Sequence, residues 1–400
     1  MRVVVVGAGP AGGALAYLLA RRGIDVVVLE RHTDFAREFR GEGLMPSGVD
    51  ALGEMGLGAA LASVPQVAIE AAELFVGGRP LVRITPEALG SDGPRIVSQP
   101  AMLEMLAREA GRFPSYRLER GVTVRDVIRA ADRIVGVHAD TPTGPREFRA
   151  DLVVGTDGRA SVLRVRAGLH ETRSPQAFDI VWCKLPMPAF LPPGTARAYL
   201  GPRHFALAFP SYDGRLQLAW VIDKGSYGEL RRLGIEGWVD EMAAHVSSDL
   251  ATHLQAERAR ITHPFLLDVV CDRLVRWTRP GLLLLGDAAH PMSPVGGQGI
   301  NIALRDAIVA ANHLCPALAG GGDPDAAAER IVAERLPEVT RIQSLQQEPP
   351  RLLFGSGWRS AFVLRVALPL LVRTGIARLV ARSVFQRFAH GVADVRLRAC

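Results

Sequence analysis

The opening residues constrain the fold most. Residues 2–6 form a short β-branched run, and Gly7-Ala8-Gly9-Pro10-Ala11-Gly12 follows at once. A helical apolar pattern then runs through Leu15, Leu18 and Leu19, and a second apolar run, residues 26–29, closes on Glu30. Strand, glycine turn, helix, strand and acid in that order form the dinucleotide-binding fingerprint. The glycines permit a tight turn and close backbone approach to a pyrophosphate, and the acid about 20 residues on takes a ribose hydroxyl. A strand-turn-helix whose glycines serve packing alone is the alternative. Residues 3–20 carry no charge and by length would pass for a signal peptide or membrane span. Gly7, Gly9, Pro10, Gly12 and Gly13 interrupt that run, which favours the buried-strand reading.

A second stretch, Gly286-Asp-Ala-Ala-His-Pro-Met-Ser-Pro-Val-Gly-Gly-Gln-Gly-Ile-Asn301, brings a carboxylate and a helix start together. The apolar run 282–285 reads as a buried strand, and Gly286-Asp287 ends it. The glycines from Gly296 to Gly299 open a helix towards Leu314. N–H groups at a helix start lack intrahelical acceptors and carry the positive dipole end, so they suit a phosphate, a carboxylate or a reduced flavin ring.

A chain of 400 residues with 48% hydrophobic content can bury a sizeable core, roughly two domains' worth. Its net charge of +6 is carried by arginine, Lys184 and Lys224 being the only lysines. No dense basic block with interleaved aromatics occurs, which argues against a nucleic-acid partner. Cys183, Cys271, Cys315 and Cys400 lack metal or redox spacing, so no metal site is expected and a reduced, cytoplasmic setting is the simplest.

Between these features lie further candidates. Arg40 precedes closely spaced glycines and a helical pattern over 47–55; alone it reads as a solvated loop charge. Residues 71–84 alternate as a strand pair turning at Gly77-Gly78. Gln99 stands where it could simply begin the helix 101–110. Strands are expected over 122–128, 134–139 and 152–154, the last running into Asp157-Gly158 with Arg164 beyond it. Residues 178–222 read as antiparallel sheet with a hairpin pairing 204–209 and 216–222. Trp182, Lys184, Tyr199, His204, Phe205, Phe209, Tyr212 and Trp220 could line its wall, or the aromatics could be core. Helical residues 227–254, a strand over 269–277 and a helix over 326–347 complete the order. The apolar, basic tail 354–392 is too interrupted to span a bilayer and could lie on a membrane surface, a partner or its own protein.

Gly7-x-Gly9-x-x-Gly12 with Glu30, Asp157-Gly158 with Arg164, and Gly286-Asp287 with Pro294 and the glycine turn together resemble FAD-dependent monooxygenases of the para-hydroxybenzoate hydroxylase type, over about the first 350 residues. The resemblance implies an α/β fold: a Rossmann-like FAD-binding domain with an inserted antiparallel-sheet substrate domain and a C-terminal helical tail. Residues 1–70, 96–170 and 270–345 would form the discontinuous FAD domain, 71–95 and 171–269 the substrate domain, and 346–400 the helical region. By the same resemblance Gly7, Gly9, Gly12 and Glu30 would hold the ADP half of FAD, and Ala11 and Arg31 would also bind the cofactor. Arg40 and Gln99 would contact the cofactor, Asp287 the ribityl chain, and Asp157 both FAD and the approaching nicotinamide. Pro294, Gly297, Gly299, Ile300 and Asn301 would lie beside the flavin ring.

The implied chemistry is hydride transfer from NADPH or NADH to FAD, followed by oxygen transfer from a flavin C4a-hydroperoxide, formed with molecular oxygen, to an aromatic or polycyclic substrate. His204 or Tyr212 could serve as a base forming a phenolate. A related flavin reductase or halogenase, or a flavin-binding protein without turnover, are the alternatives. The tryptophans do not form the W-x-W-x-I-P element of flavin halogenases.

Overall fold

The computed structural model describes residues 1–36, 42–201, 203–354, 362–374 and 376–398. Arg40 lies outside the described residues.

A six-stranded sheet organises the half that contains the N-terminal strand. Its order is Thr278–Arg279, Leu282–Leu284, Leu152–Gly155, Arg2–Val6, Asp25–Glu30, Tyr116–Arg120, with every pair parallel except the first. Parallel strands covered on both faces read as continuous apolar runs, and Val3, Val4 and Val5 are at most 1% exposed. Burying each such side chain is worth about 1.5–3 kcal/mol before entropy is counted. Helix Pro10–Arg21 starts with proline in its first turn, where a missing N–H costs nothing, and Gly23 at φ +74° follows its end. It packs against Gly299–Ala319 on one side and Gln99–Ala110 on another. The run Val295–Ala319, long and apolar enough to cross a membrane, is mostly buried in this core.

The first strand has the second on one side and Leu152–Gly155 on the other, so the chain order reverses there. Such a switch point opens a crevice at the carboxyl ends of the strands.

A seven-stranded sheet forms the other half, in the order Thr262–Leu267, Phe178–Pro186, Arg215–Asp223, His204–Pro210, Thr195–Gly201, Ala71–Val76, Arg79–Ile84. It is antiparallel except that Thr195–Gly201 runs parallel to Ala71–Val76. Both faces are buried. One face, with Val181, Cys183, Leu185, Ala206, Ala208, Leu218 and Trp220, packs on helices Tyr227–Ala243 and Ser248–Glu257. The other carries Phe178, Ile180, Trp182, Phe209, Ala219 and Val221 and meets Ile69, Ile96, Val269 and Val295, which lie outside the sheet.

Two expectations need correction. The strand expected over 269–277 shrinks to Arg273–Leu274, paired with Glu171–Thr172. The flanking residues are tied elsewhere: the Trp277 indole N–H donates to the Leu274 carbonyl (3.0 Å), and Asp272 accepts the N–H of the distant Ser174 (2.9 Å). The helical stretch 227–254 is two helices, and the first is kinked at Gly234, whose φ of +69° no helical residue adopts.

The tail folds back on its own protein. Phe388 and Ala389 are buried, and the Asn312 amide donates to the Arg396 carbonyl at 2.8 Å. Phe362, Val366, Leu370, Leu371 and Val384 stay exposed.

Candidate active site

Three loops converge at the carboxyl ends of three adjacent parallel strands. In the first, Gly7 adopts φ +99°, and a Cβ there would lie 2.4 Å from the Thr156 carbonyl oxygen. A Cβ on Gly12 would lie 2.1 Å from the Gly7 carbonyl oxygen and 2.4 Å from Thr156 Oγ1. These two glycines are therefore required by close packing between the first loop and the second. Gly9 differs: no protein atom lies within 4 Å of its would-be Cβ. Here the absent side chain leaves an open approach to the helix N-terminus, which fits a pyrophosphate. Ala11 is the second residue of that helix and lies close to Gly286, on which a Cβ would come 3.2 Å from that of Ala11.

Glu30 is buried and accepts the Ala8 N–H on Oε2 (2.9 Å) and the His32 N–H on Oε1 (3.1 Å). It thereby fixes the fingerprint turn, and it ends the second strand, the position of the fingerprint's ribose-binding acid. Arg31 is exposed and donates to His32 Nε2 at 3.0 Å. Gln99 is the first residue of its helix and is 9% exposed, while Ser98 caps that helix by accepting the Ala101 N–H.

The second loop centres on Asp157. Ser161 Oγ donates to its Oδ1 at 2.6 Å and the Leu163 N–H to Oδ2 at 3.1 Å, so the carboxylate caps helix Val162–Arg166. Burial pushes its pKa up, against the pull of these bonds. Arg164, 8% exposed, joins the second loop to the third by donating to the Arg159 carbonyl (2.6 Å) and the Ala288 carbonyl (3.2 Å).

In the third loop Arg159 Nε meets Asp287 Oδ2 at 3.2 Å, and the Asp287 side chain is 35% exposed. A carboxylate held on one oxygen and open on the other is suited to a polyol hydroxyl. Behind it lies a buried ionic cluster. Asp306 accepts the Gly286 N–H (3.1 Å) and faces His290 Nε2 (2.8 Å) and Arg335 Nε (2.8 Å), while Glu338 bridges Arg335 and Arg305. Burial alone would raise the Asp306 pKa, but His290 and Arg335 outweigh it and hold the carboxyl at about 2.

Pro294 leads into the glycine turn. Gly296, at φ +72°, lies under the Phe388 ring, whereas the would-be Cβ positions of Gly297 and Gly299 meet no atom within 4 Å. The N-terminus of helix Gly299–Ala319 is therefore open along the Gly297–Gly299 edge, the edge that fits a flavin ring. Ile300 is 7% exposed at its start. The side chain of Asn301 is spent inside the protein: it accepts the Met45 N–H (2.9 Å) and donates to the carbonyls of Gly297 (2.7 Å) and Gly43 (3.4 Å). Its contribution to a ligand is thus limited to backbone and to the pinning of residues 43–45.

The sheet face nearest these loops is apolar and aromatic, through Phe178, Trp182, Phe205 and Phe209, and Val295 of the glycine turn packs on it. His204 is not on it. It shares the opposite face with Ala206 and Ala208, stacks on His245 (4.2 Å between ring centroids) and accepts the Trp220 indole N–H (3.4 Å). Burial, and then His245, push its pKa down to about 3. This removes His204 as a base on the loop-facing side, and the reason is strand alternation. Tyr199 and Trp220 likewise belong to the helix-facing core. Tyr212 lies at the loop-facing end, with Lys184 Nζ 4.6 Å from its ring centroid.

Sequence patterns missed Thr156, Arg159, Asp306 and Arg335. Thr156 donates to the Gly7 carbonyl (2.7 Å) and so fastens the fingerprint loop. Its position directly before Asp157 was the available signal; the others act across the fold.

Residues 1–344 match the family described as FAD binding domain. The chain is 32% identical to 6-methylpretetramide 4-monooxygenase of Streptomyces rimosus, covering 99% of this chain and 94% of that protein. The fold matches p-nitrophenol 4-monooxygenase PnpA from Pseudomonas putida DLL-E4 with a TM-score of 0.78 at 19% identity, covering 98% of each chain. It also matches P. aeruginosa PqsL in complex with 2-aminobenzoylacetate, with a TM-score of 0.78 at 24% identity, covering 92% of this chain and 100% of that one.

Proposed function

The chain belongs to the FAD-binding-domain family of flavoprotein monooxygenases, and on that premise we propose that it consumes NADPH or NADH to hydroxylate an aromatic or polycyclic small molecule with molecular oxygen. One observation carries the reading: an aromatic sheet face, with Trp182 and Phe209, closes on Val295 in the turn beside the open helix start. A flat apolar substrate seated on that face would lie against the edge where the flavin ring fits.

Bound FAD would supply the hydride acceptance and oxygen transfer that the sequence resemblance implies. The protein's own part is positional. Gly9 and the helix start admit the pyrophosphate, Glu30 the ribose and Asp287 the ribityl chain. The N–H groups near Gly297 and Gly299 stabilise negative charge on the ring, and the apolar face excludes water.

Flavin-loaded protein mixed with NADH or NADPH is expected to oxidise the nucleotide slowly alone and faster with a phenolic or polycyclic compound, with labelled oxygen appearing in the product. Flavin reduction without oxygen incorporation would instead mark a reductase, and tight FAD binding without reduction a binding protein. Asp287→Ala should weaken FAD binding about ten-fold, the loss of a charge-assisted hydrogen bond worth roughly 1.5–3 kcal/mol less what solvent recovers. Flavin content after dilution and gel filtration measures it; wild-type retention would rule out the ribityl assignment. A cytoplasmic location belongs to the same reading. Peripheral membrane contact by the tail rests on its exposed apolar side chains, and vesicle flotation tests it.

A further inference from the structure

Glu42 has no part in the site as described so far. It is 4% exposed, and its Oε2 has no hydrogen-bond partner. Its backbone carbonyl accepts the Val97 N–H at 2.8 Å, which places it next to Ile96 on the loop-facing side of the sheet. The adjoining residues 43–45 are held by Asn301 to the start of helix Gly299–Ala319. Across from Glu42, Lys184 Nζ stands 3.7 Å from its Oε1, too far for a good hydrogen bond. Lys184 is already engaged by Ser211 Oγ (2.8 Å) and Asp213 Oδ2 (2.9 Å).

Lys184 is in register with Gln217, and Gln217 with Phe209. These three continue the rows Trp182, Ala219, Leu207 and Ile180, Val221, Phe205, so they lie on the aromatic, loop-facing side. Gln217 is 1% exposed, and its Oε1 also lacks a partner. Two buried acceptors, from different elements, are thus unsatisfied at one end of an apolar aromatic face. Leaving such a group unpaired costs about 1–3 kcal/mol, which is tolerated where a ligand supplies the missing donor.

We propose that Glu42 and Gln217 form the polar end of the substrate site, and that Glu42 accepts the proton of an acidic hydroxyl, phenolic or enolic, on the bound substrate. The step is a proton transfer without redox change: the substrate O–H bond breaks, the proton goes to Glu42 Oε2, and the electron pair remains on the substrate oxygen, making the ring more nucleophilic. Burial raises the Glu42 pKa to about 7, with Lys184 lowering it and Asp213 raising it, which places this carboxyl near the operating range of a general base. Among the described residues Lys184 and Asp213 are the charged groups that act on it, and the Tyr212 ring packs on Lys184.

The proposal rests on the hydroxylase reading for its chemistry, and its test is separable because it reads binding. FAD-loaded protein is titrated with 4-methylphenol and with 4-nitrophenol across pH, followed by the change in flavin absorbance. Neutral 4-methylphenol should bind at least ten-fold more tightly once Glu42 ionises, with a midpoint near 7. Glu42→Gln should abolish that pH dependence and weaken 4-methylphenol at least ten-fold, while anionic 4-nitrophenolate binds better for want of a neighbouring negative charge. Lys184→Met should move the midpoint upward, because a cation that lowers the carboxyl pKa is gone. Gln217→Leu should weaken binding several-fold and leave the midpoint in place, a result available even if Glu42→Gln folds poorly. Wild-type affinity and pH dependence in Glu42→Gln, or failure of wild type to bind either phenol, overturns the proposal. Normal phenol binding without oxygen incorporation overturns the hydroxylase reading alone.

Discussion

Gly12→Ala should yield protein that retains no FAD through purification and melts well below the wild type. The added Cβ would sit 2.1 Å from the Gly7 carbonyl oxygen and 2.4 Å from Thr156 Oγ1. Neither contact is with the end of a flexible side chain, since Thr156 is itself bonded to Gly7 and Val6. Relief requires moving the fingerprint loop away from the second loop, which opens the crevice that both form. Overpacking of this kind costs about 1–3 kcal/mol and sometimes more. Gly9→Ala is the informative companion. No protein atom lies within 4 Å of its Cβ, so the flavin-free protein should melt like flavin-free wild type while FAD affinity falls at least ten-fold. Equal FAD affinity in Gly9→Ala would place the pyrophosphate elsewhere.

Arg335→Met should cost roughly 3–5 kcal/mol, the usual consequence of leaving buried carboxylates without their cation. Arg335 is 1% exposed and serves both Asp306 and Glu338. Asp306 in turn holds the Gly286 N–H, so the damage should reach the Gly286-Asp287 turn and lower FAD affinity as well. Thermal melts of flavin-free protein would show a fall of about 4–6 °C. The pH dependence carries a sign. The Asp306 carboxyl is held at about 2 against an ordinary 3.8, so its contribution is present above 3.8 and disappears as pH falls towards 2. The acid-induced loss over that window should be smaller in Arg335→Met. An unchanged melting temperature would mean that the cluster relaxes onto His290 and Arg305 without penalty.

The parts of the site legible in the sequence are those built from backbone. Gly7, Gly9 and Gly12, the Asp157-Gly158 turn and the Gly286-Asp287 turn each follow a buried strand directly. What they do depends on local geometry that only a few residue types allow. Asp157 was readable as a loop residue near a ligand, but its capping of helix Val162–Arg166 depends on Ser161 and Leu163 folding back to it.

Side chains on the sheet were legible only as two alternating sets. His204, Ala206 and Ala208 alternate with Phe205, Leu207 and Phe209, and period two assigns them to opposite faces without saying which face meets the loops. Because both faces of this sheet are buried, polarity does not label them either. That is why His204 read as a candidate base and Gln217 did not.

The sequence by itself determined the α/β class, the three loops that follow the parallel strands and the antiparallel character of most of the second sheet, because glycine placement and strand periodicity act over a few residues. Only the tertiary structure decided which sheet face meets the loops, that Asn301 is consumed in pinning residues 43–45, and that Glu42, Lys184 and Gln217 come together. Those outcomes depend on contacts between residues up to about 250 positions apart, such as Met45 with Asn301, and no local pattern encodes a contact whose partner lies in another element.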